Sequence, residues 1–340
     1  MMEKQTYINE LADQMAFDDI FALAAARMNQ AKNGPYWQLT LQDRTGTLEA
    51  KIWFPASQNY EGLAPEQFVR AQGRISTFKD QLQANIDALQ ILDPAGIDRT
   101  CFLPSSDSPP EELLEEIETI LHQEVVFPGW KKLYRKILRT QDIRQALLTA
   151  PGGKSIHHAY VGGLLEHTLG VLKACRAMSD LYPSLDRDIL LVAATFHDLG
   201  KAYEISHGIS REYTSPGKLL GHIHLGLEVL TPFLMKAGLD EGLILHFKHL
   251  ILSHHGQYDY GSPKLPMTHE AMVLHMADNL DAKINTMDKA LEQTEPQAWS
   301  GFQRSLQRDL YTPVRTPQPE KQTRKGPHKK EDQCSLPLKV

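Results

Sequence analysis

Among the residues between positions 167 and 278, seven stand out as candidate metal ligands: His167, His197, Asp198, His222, His254, His255 and Asp278. Of the 15 histidines in the chain, thirteen fall between His157 and His275, the exceptions being His122 and His328. Scattered histidines are usually surface residues or satisfied core residues; so dense a group, flanked by aspartates, points to a metal site. His167 stands in the amphipathic segment Gly162–Thr168, His222 in Leu219–His224, the pair His254-His255 just before Gly256, and Asp278 in His275–Asn279. His197-Asp198 closes the apolar run Ile189–Phe196 and precedes Leu199-Gly200-Lys201. Packing gives no reason to end a buried helix in an ionised carboxylate, whose burial costs on the order of several kcal/mol unless it is paired or metal-bound.

The elements that must position these groups are helices. Pro110 and Glu111-Glu112 form a helix start, with Leu113, Leu114, Ile117 and Leu121 as its apolar stripe. Further helical patterns cover about 130–149, 158–180, 186–199, 217–237, 240–253 and 268–292. The N-terminal part reads instead as strands. Trp37, Leu39 and Leu41 alternate on one face, and after the Asp43–Gly46 turn so do Leu48, Ala50, Ile52 and Phe54. Val69, Ala71, Gly73 and Ile75 form a fourth inward row, and Leu82, Ala84, Ile86 and Ala88 a fifth, after a turn at Lys79-Asp80. With an opening strand near Ile20–Met28 and a short helix within Pro55–Gln67, this order suits an OB barrel.

The expected fold class is therefore multidomain: a five-stranded OB-like β-barrel at 1–92 and an all-α domain at 111–311. A Pro/Ser/Asp-rich linker at 93–110 joins them, and a basic tail without apolar periodicity occupies 312–340. That tail has seven Lys/Arg against three Asp/Glu, whereas residues 1–95 have eight against twelve. A net charge of −6 argues against gripping duplex DNA by phosphate neutralisation alone, but not against single strands held partly by stacking. No run of 18 or more apolar residues exists and the start has no basic-then-apolar leader, so no membrane partner is expected. Cys101, Cys175 and Cys334 lack metal-ligand spacing and read as reduced thiols of a cytoplasmic protein.

The order His167, His197-Asp198, Asp278 resembles that of the HD superfamily of metal-dependent phosphohydrolases. His222 and His254-His255 resemble the additional ligands of its two-metal branch. The words His157–Thr168, His197–Lys201, Leu220–Ile223 and Ser253–Gly256 are similar to those of YhaM-type 3′→5′ exoribonucleases, which also carry an OB-like domain ahead of the HD domain. The resemblance implies one ion held by His167, His197, Asp198 and Asp278, and a second held by Asp198, His222, His254 and His255, with Asp198 bridging. Two divalent ions can polarise a phosphoryl oxygen, activate water and steady a leaving oxygen. A His/carboxylate set without Cys suits Mn first, with Fe, Co or Ni as alternatives, better than structural zinc.

Asp198 and Lys201 are the expected catalytic residues, and His158 and Lys201 the expected contacts to substrate phosphate. Lys201 has a plainer reading as a solvated lysine at a helix end, and His157 and His158 as helix-start residues. His224, His246, His249 and His269 are read as structural, and His207 is left undecided. On the barrel, Tyr36 and Trp53 fall in outward rows beside Lys51, Arg70 and Arg74, as a stacking platform requires. Either ring could instead pack under a neighbouring element.

The implied partner is single-stranded RNA or DNA, the implied product nucleoside monophosphates, and a homo-oligomer is left open. Two other functions fit part of this set: hydrolysis of cyclic (di)nucleotides or nucleotides, and strand binding by a vestigial HD fold. The OB-like module argues against the first and the complete ligand set against the second.

Overall fold

The structure, a computed structural model, describes residues 4–78, 81–95, 97–98, 101–102, 108–153, 160–206, 212–292 and 294–316. His157, His158, His207, the Lys79-Asp80 turn, Cys334 and most of the basic tail lie outside the described residues. The chain divides into two compact units, Met1–Met287 and Asp288–Val340.

Five strands open the first unit: β1 (Ala16–Ala31), β2 (Gly34–Asp43), β3 (Gly46–Ile52), β4 (Phe68–Phe78) and β5 (Gln81–Leu92). They close into a barrel in the order β1-β2-β3-β5-β4, with β3 and β5 parallel and the other pairs antiparallel. Alternation drives it: Phe21, Leu23, Leu39, Leu41, Ala50, Ile52, Val69, Ala71, Ile75 and Ala84 fill its interior. Closure spares the barrel the exposed edges that an open five-stranded sheet would have to cover.

Three details depart from the alternation. Between β3 and β4 the described residues form no α-helix, only the 3-10 turn Ala56–Asn59. Phe54 is exposed rather than inward, because β3 ends at Ile52 and its ring lies against Gly34. In β5, Ala88 points out and Leu89 in, because Asp87 is an extra residue opposite the Gln72/Gly73 step of β4, a bulge that reverses the parity beyond Ile86. Leu82, at the hairpin end of β5, is exposed as well.

The segment read as a linker is partly packed. Phe102 is buried against Ile20, Ala22 and Phe68 of the barrel, with Val161 beside it. Nine helices follow among the described residues: α1 (Pro110–Glu124), α2 (Pro128–Arg139), α3 (Gln141–Thr149), α4 (Gly163–Leu181), α5 (Arg187–Phe196), α6 (Lys201–Glu204), α7 (Ser215–Leu234), α8 (Glu241–Ser253) and α9 (His269–Leu291). The continuous helix expected over 130–149 is broken at Thr140, whose extended ψ of 115° starts α3 afresh. The core is a single cluster in which α5 is buried on every side, from Ile189 to Phe196. Among the described residues no helix is long and apolar enough to cross a membrane. In the second unit, Trp299 and Tyr311 form an antiparallel bridge with rings 5.2 Å apart.

Candidate metal centre and nucleic-acid interface

Each ligand-bearing segment is held by a local device. Asp186, Thr214 and Asp240 cap α5, α7 and α8 by accepting from the backbone N–H groups of Ile189, Gly217 and Gly242. His197 and Asp198 follow the last residue of the buried helix α5, and His254-His255 follow α8 in the same way. His222 comes just after a kink in α7 at Gly221, whose φ of 74° and ψ of 161° only glycine adopts without strain. A Cβ at Gly200 would run into the His222 carbonyl, so the glycine lets the turn after Asp198 close onto α7.

These devices bring all seven expected ligands together. Asp198 lies at the middle with each oxygen facing a pair of histidines. Its Oδ1 is 3.4 Å from the Nε2 atoms of His222 and His254; its Oδ2 is 3.4 Å from those of His167 and His197. Asp278 Oδ1 stands 3.1 Å from His167 Nε2. Two donor sets result, His167/His197/Asp198/Asp278 and Asp198/His222/His254/His255, each with its ligand atoms within 4.8 Å of one another.

The histidines are oriented for ligation by what their other nitrogens do. The Nδ1 atoms of His197, His254 and His255 donate to the carbonyls of Ala194, Ile251 and Tyr260 at 2.8, 2.7 and 2.7 Å. His167 Nδ1 lies 2.7 Å from Asp281, and His222 Nδ1 lies 3.4 Å from Glu204. Each ring therefore turns its Nε2 toward the pocket. His222 Nε2, His254 Nε2 and both Asp198 oxygens are buried and make no well-directed hydrogen bond. Such groups facing one another are costly unless something positive lies among them, and the Lys201 ammonium reaches only Asp198 Oδ2. The donor set fits a divalent cation on that ground.

The electrostatics agree. Burial opposes the charge of Asp198, but Lys201 and His197 outweigh it and hold the carboxyl well below its usual range. Burial likewise opposes charge on His167, yet Asp198, Asp278 and Asp281 together raise its pKa well above the ordinary value. His255 has little such help, and burial pushes it down to about 4. Lys201 opens α6 with its Nζ 2.6 Å from Asp198 Oδ2 and its side chain only 12% exposed. Sequence reasoning does not pick out Glu204 and Asp281. Both sit three residues beyond a named site residue, Lys201 and Asp278, and that helical spacing was the available signal. His224, His246 and His249 pair instead with Glu228, with Thr268 and Glu270, and with the Met267 N–H.

On the barrel, Tyr36 and Trp53 stack at 4.8 Å, and Lys51 Nζ lies 5.0 Å from the Trp53 ring centre and 5.4 Å from that of Phe78. Asn85 accepts from Trp53 Nε1 at 2.9 Å and fixes the indole. Phe78 was missed, although it continues the outward row of Arg74 and Ser76. Arg74 pairs across the sheet with Asn85 and donates to the Gln14 carbonyl. Arg70 is elsewhere, held by the Asp18 carboxylate at 2.7 and 2.8 Å.

An OB barrel followed by a helical domain with convergent His/Asp donors defines an HD-domain protein with a nucleic-acid-binding module. The HD domain family matches residues 164–283, and the OB-fold nucleic acid binding domain family residues 24–92. A 3'-5' exoribonuclease YhaM of Bacillus subtilis is 33% identical over 316 residues, which cover 92% of this chain and 99% of that one. Its counterpart from Bacillus licheniformis is 34% identical over 319 residues with the same coverage. The chain belongs to the YhaM family. Among solved structures, the second OB-fold domain of replication protein A from Methanococcus maripaludis is 18% identical, with a TM-score of 0.23, over 27% of this chain and 98% of that one.

Proposed function

We propose that this chain is a metal-dependent 3′→5′ exoribonuclease that removes nucleoside monophosphates from single-stranded RNA. In this reading His167, His197, Asp198 and Asp278 hold one divalent ion, and Asp198, His222, His254 and His255 a second, with manganese foremost. One observation carries it: a fully buried carboxylate, Asp198, turns each of its two oxygens toward a different pair of histidine Nε2 atoms. Such ions, when bound, neutralise phosphodiester charge and make water a nucleophile at neutral pH. The chain's own residues do the rest. Asp281 and Glu204 keep His167 and His222 turned inward. Lys201 brings an ammonium beside Asp198, within reach of a non-bridging phosphate oxygen. Tyr36, Trp53 and Phe78 offer ring faces to bases upstream of the scissile linkage, with Lys51 and Arg74 near their phosphates. The cytoplasmic assignment rests on cysteine usage in the sequence.

The test is a 5′-labelled unstructured RNA incubated with the full chain and Mn²⁺, with a chelator control. A ladder shortening with time only when metal is present is expected. Intact RNA under both conditions would refute the proposal.

A further inference from the structure

Several cations of this protein are held by carboxylates. Arg70 pairs with Asp18, Arg144 with Glu118, Lys173 with Glu116, Arg187 with Glu124 and Asp180, and Lys201 with Asp198. Helix α2 is different. Its twelve residues, PGWKKLYRKILR, contain five cations and no acid. Trp130, Leu133, Tyr134, Ile137 and Leu138 are buried, while Lys132, Arg135, Lys136 and Arg139 recur at helical spacing on the opposite side. Those four, with Thr140, line one open groove of about 490 Å³. None of the four lies within ion-pair distance of a carboxylate among the described residues. Arg135 lies instead against an imidazole, with His122 Nδ1 at 2.9 Å.

Folding does not ask for this arrangement. Lys136 and Arg139 suit the C-terminal end of the helix dipole, but Lys132 lies toward the positive N-terminal end and repels Lys136 one turn on. A chain of net charge −6 has carboxylates to spare, yet none among the described residues pairs with the row. The row also has a direction. Its Arg139 end leads through Thr140 into α3, and α3 packs against α6, whose first residue is Lys201 of the metal pocket.

We infer that the Lys132/Arg135/Lys136/Arg139 groove binds the phosphate backbone of single-stranded RNA, as a substrate track separate from the barrel. Charge complementarity selects a polyanion, and the row's length of roughly 10 Å suits successive phosphates rather than one. The inference rests on the nuclease reading for the identity of its ligand, so its test measures binding without hydrolysis.

Full-length protein is stripped of divalent ions, and its affinity for a labelled unstructured oligoribonucleotide is followed by fluorescence anisotropy over a series of KCl concentrations. The triple variant Lys132→Gln, Lys136→Gln, Arg139→Gln should bind about tenfold more weakly at low salt. Its slope of log affinity against log salt should be shallower by roughly 0.7 for each phosphate no longer neutralised. The charge-preserving variant Lys132→Arg, Lys136→Arg, Arg139→Lys should behave as wild type, which separates charge from any fault in folding. Equal affinity and slope for wild type and the neutral variant would overturn the inference, including the case in which the face serves an acidic protein. A protein that binds through this groove yet never cleaves RNA with Mn²⁺ would instead refute the nuclease reading alone.

Discussion

Asp198 turns one oxygen to His222 and His254 and the other to His167 and His197, so replacing it removes a donor from both sets at once. Asp198→Asn preserves shape and should lower the hydrolysis rate by roughly 10⁴-fold, the scale of losing one member of a catalytic unit. Initial rates on labelled RNA, with circular dichroism to check the fold, measure this; a rate within about tenfold of wild type would contradict it. Asp281 acts one step further out, through the Nδ1 of His167. Asp281→Asn should weaken divalent-metal affinity about 10- to 100-fold. Activity should then return at high metal concentration, and an unchanged metal titration would remove Asp281 from the orienting role. At this scale the sequence was most legible for side chains that announce their chemistry. Histidines next to aspartate and glycine stand out, whereas Glu204 and Asp281 look like any acidic residue on a helix until the fold turns them inward.

Among the elements, α5 and α7 do most of the positioning. The capped α5, buried from Asp188 to Phe196, delivers His197-Asp198 into the protein interior, and the kink at Gly221 swings His222 toward Asp198. Because φ 74°, ψ 161° is a glycine conformation, Gly221→Ala should cost about 1–3 kcal/mol of stability and lower metal occupancy with it. Thermal unfolding and metal analysis check both; full stability with full occupancy would show that the kink is not needed. Much of this scaffold could be read from periodicity: five strands, and helices that include every ligand-bearing one. What could not be read has local causes. The break at Thr140 has no glycine or proline to mark it. The reversal of Ala88 and Leu89 follows from the extra residue Asp87, a bulge set by the pairing with β4 rather than by strict alternation within β5. The kink at Gly221 lies inside a helix whose apolar pattern runs on either side of it.

For the molecule as a whole, the proposed function assigns strand holding by the barrel and cleavage to different parts of the chain. Trp53→Ala removes the ring that stacks on Tyr36 and should weaken binding of a long single strand by about 1–3 kcal/mol for each base that no longer stacks. Turnover of a small diester such as bis-p-nitrophenyl phosphate should stay as it was. If both fell together, or neither fell, the barrel would not be a separate holding site. The exonuclease reading expects a free strand end, because candidate ligands from α4, the ends of α5 and α8, α7 and α9 converge on one point.

The decisive substrate is a 5′-labelled RNA hairpin with a single-stranded 3′ overhang, set beside a circular single-stranded RNA, each with Mn²⁺. A 3′→5′ exonuclease fed by a single strand shortens the overhang stepwise, stops near the stem and leaves the circle intact. Rapid cleavage of the circle, or a hairpin degraded from its 5′ side, would contradict the exonuclease mechanism.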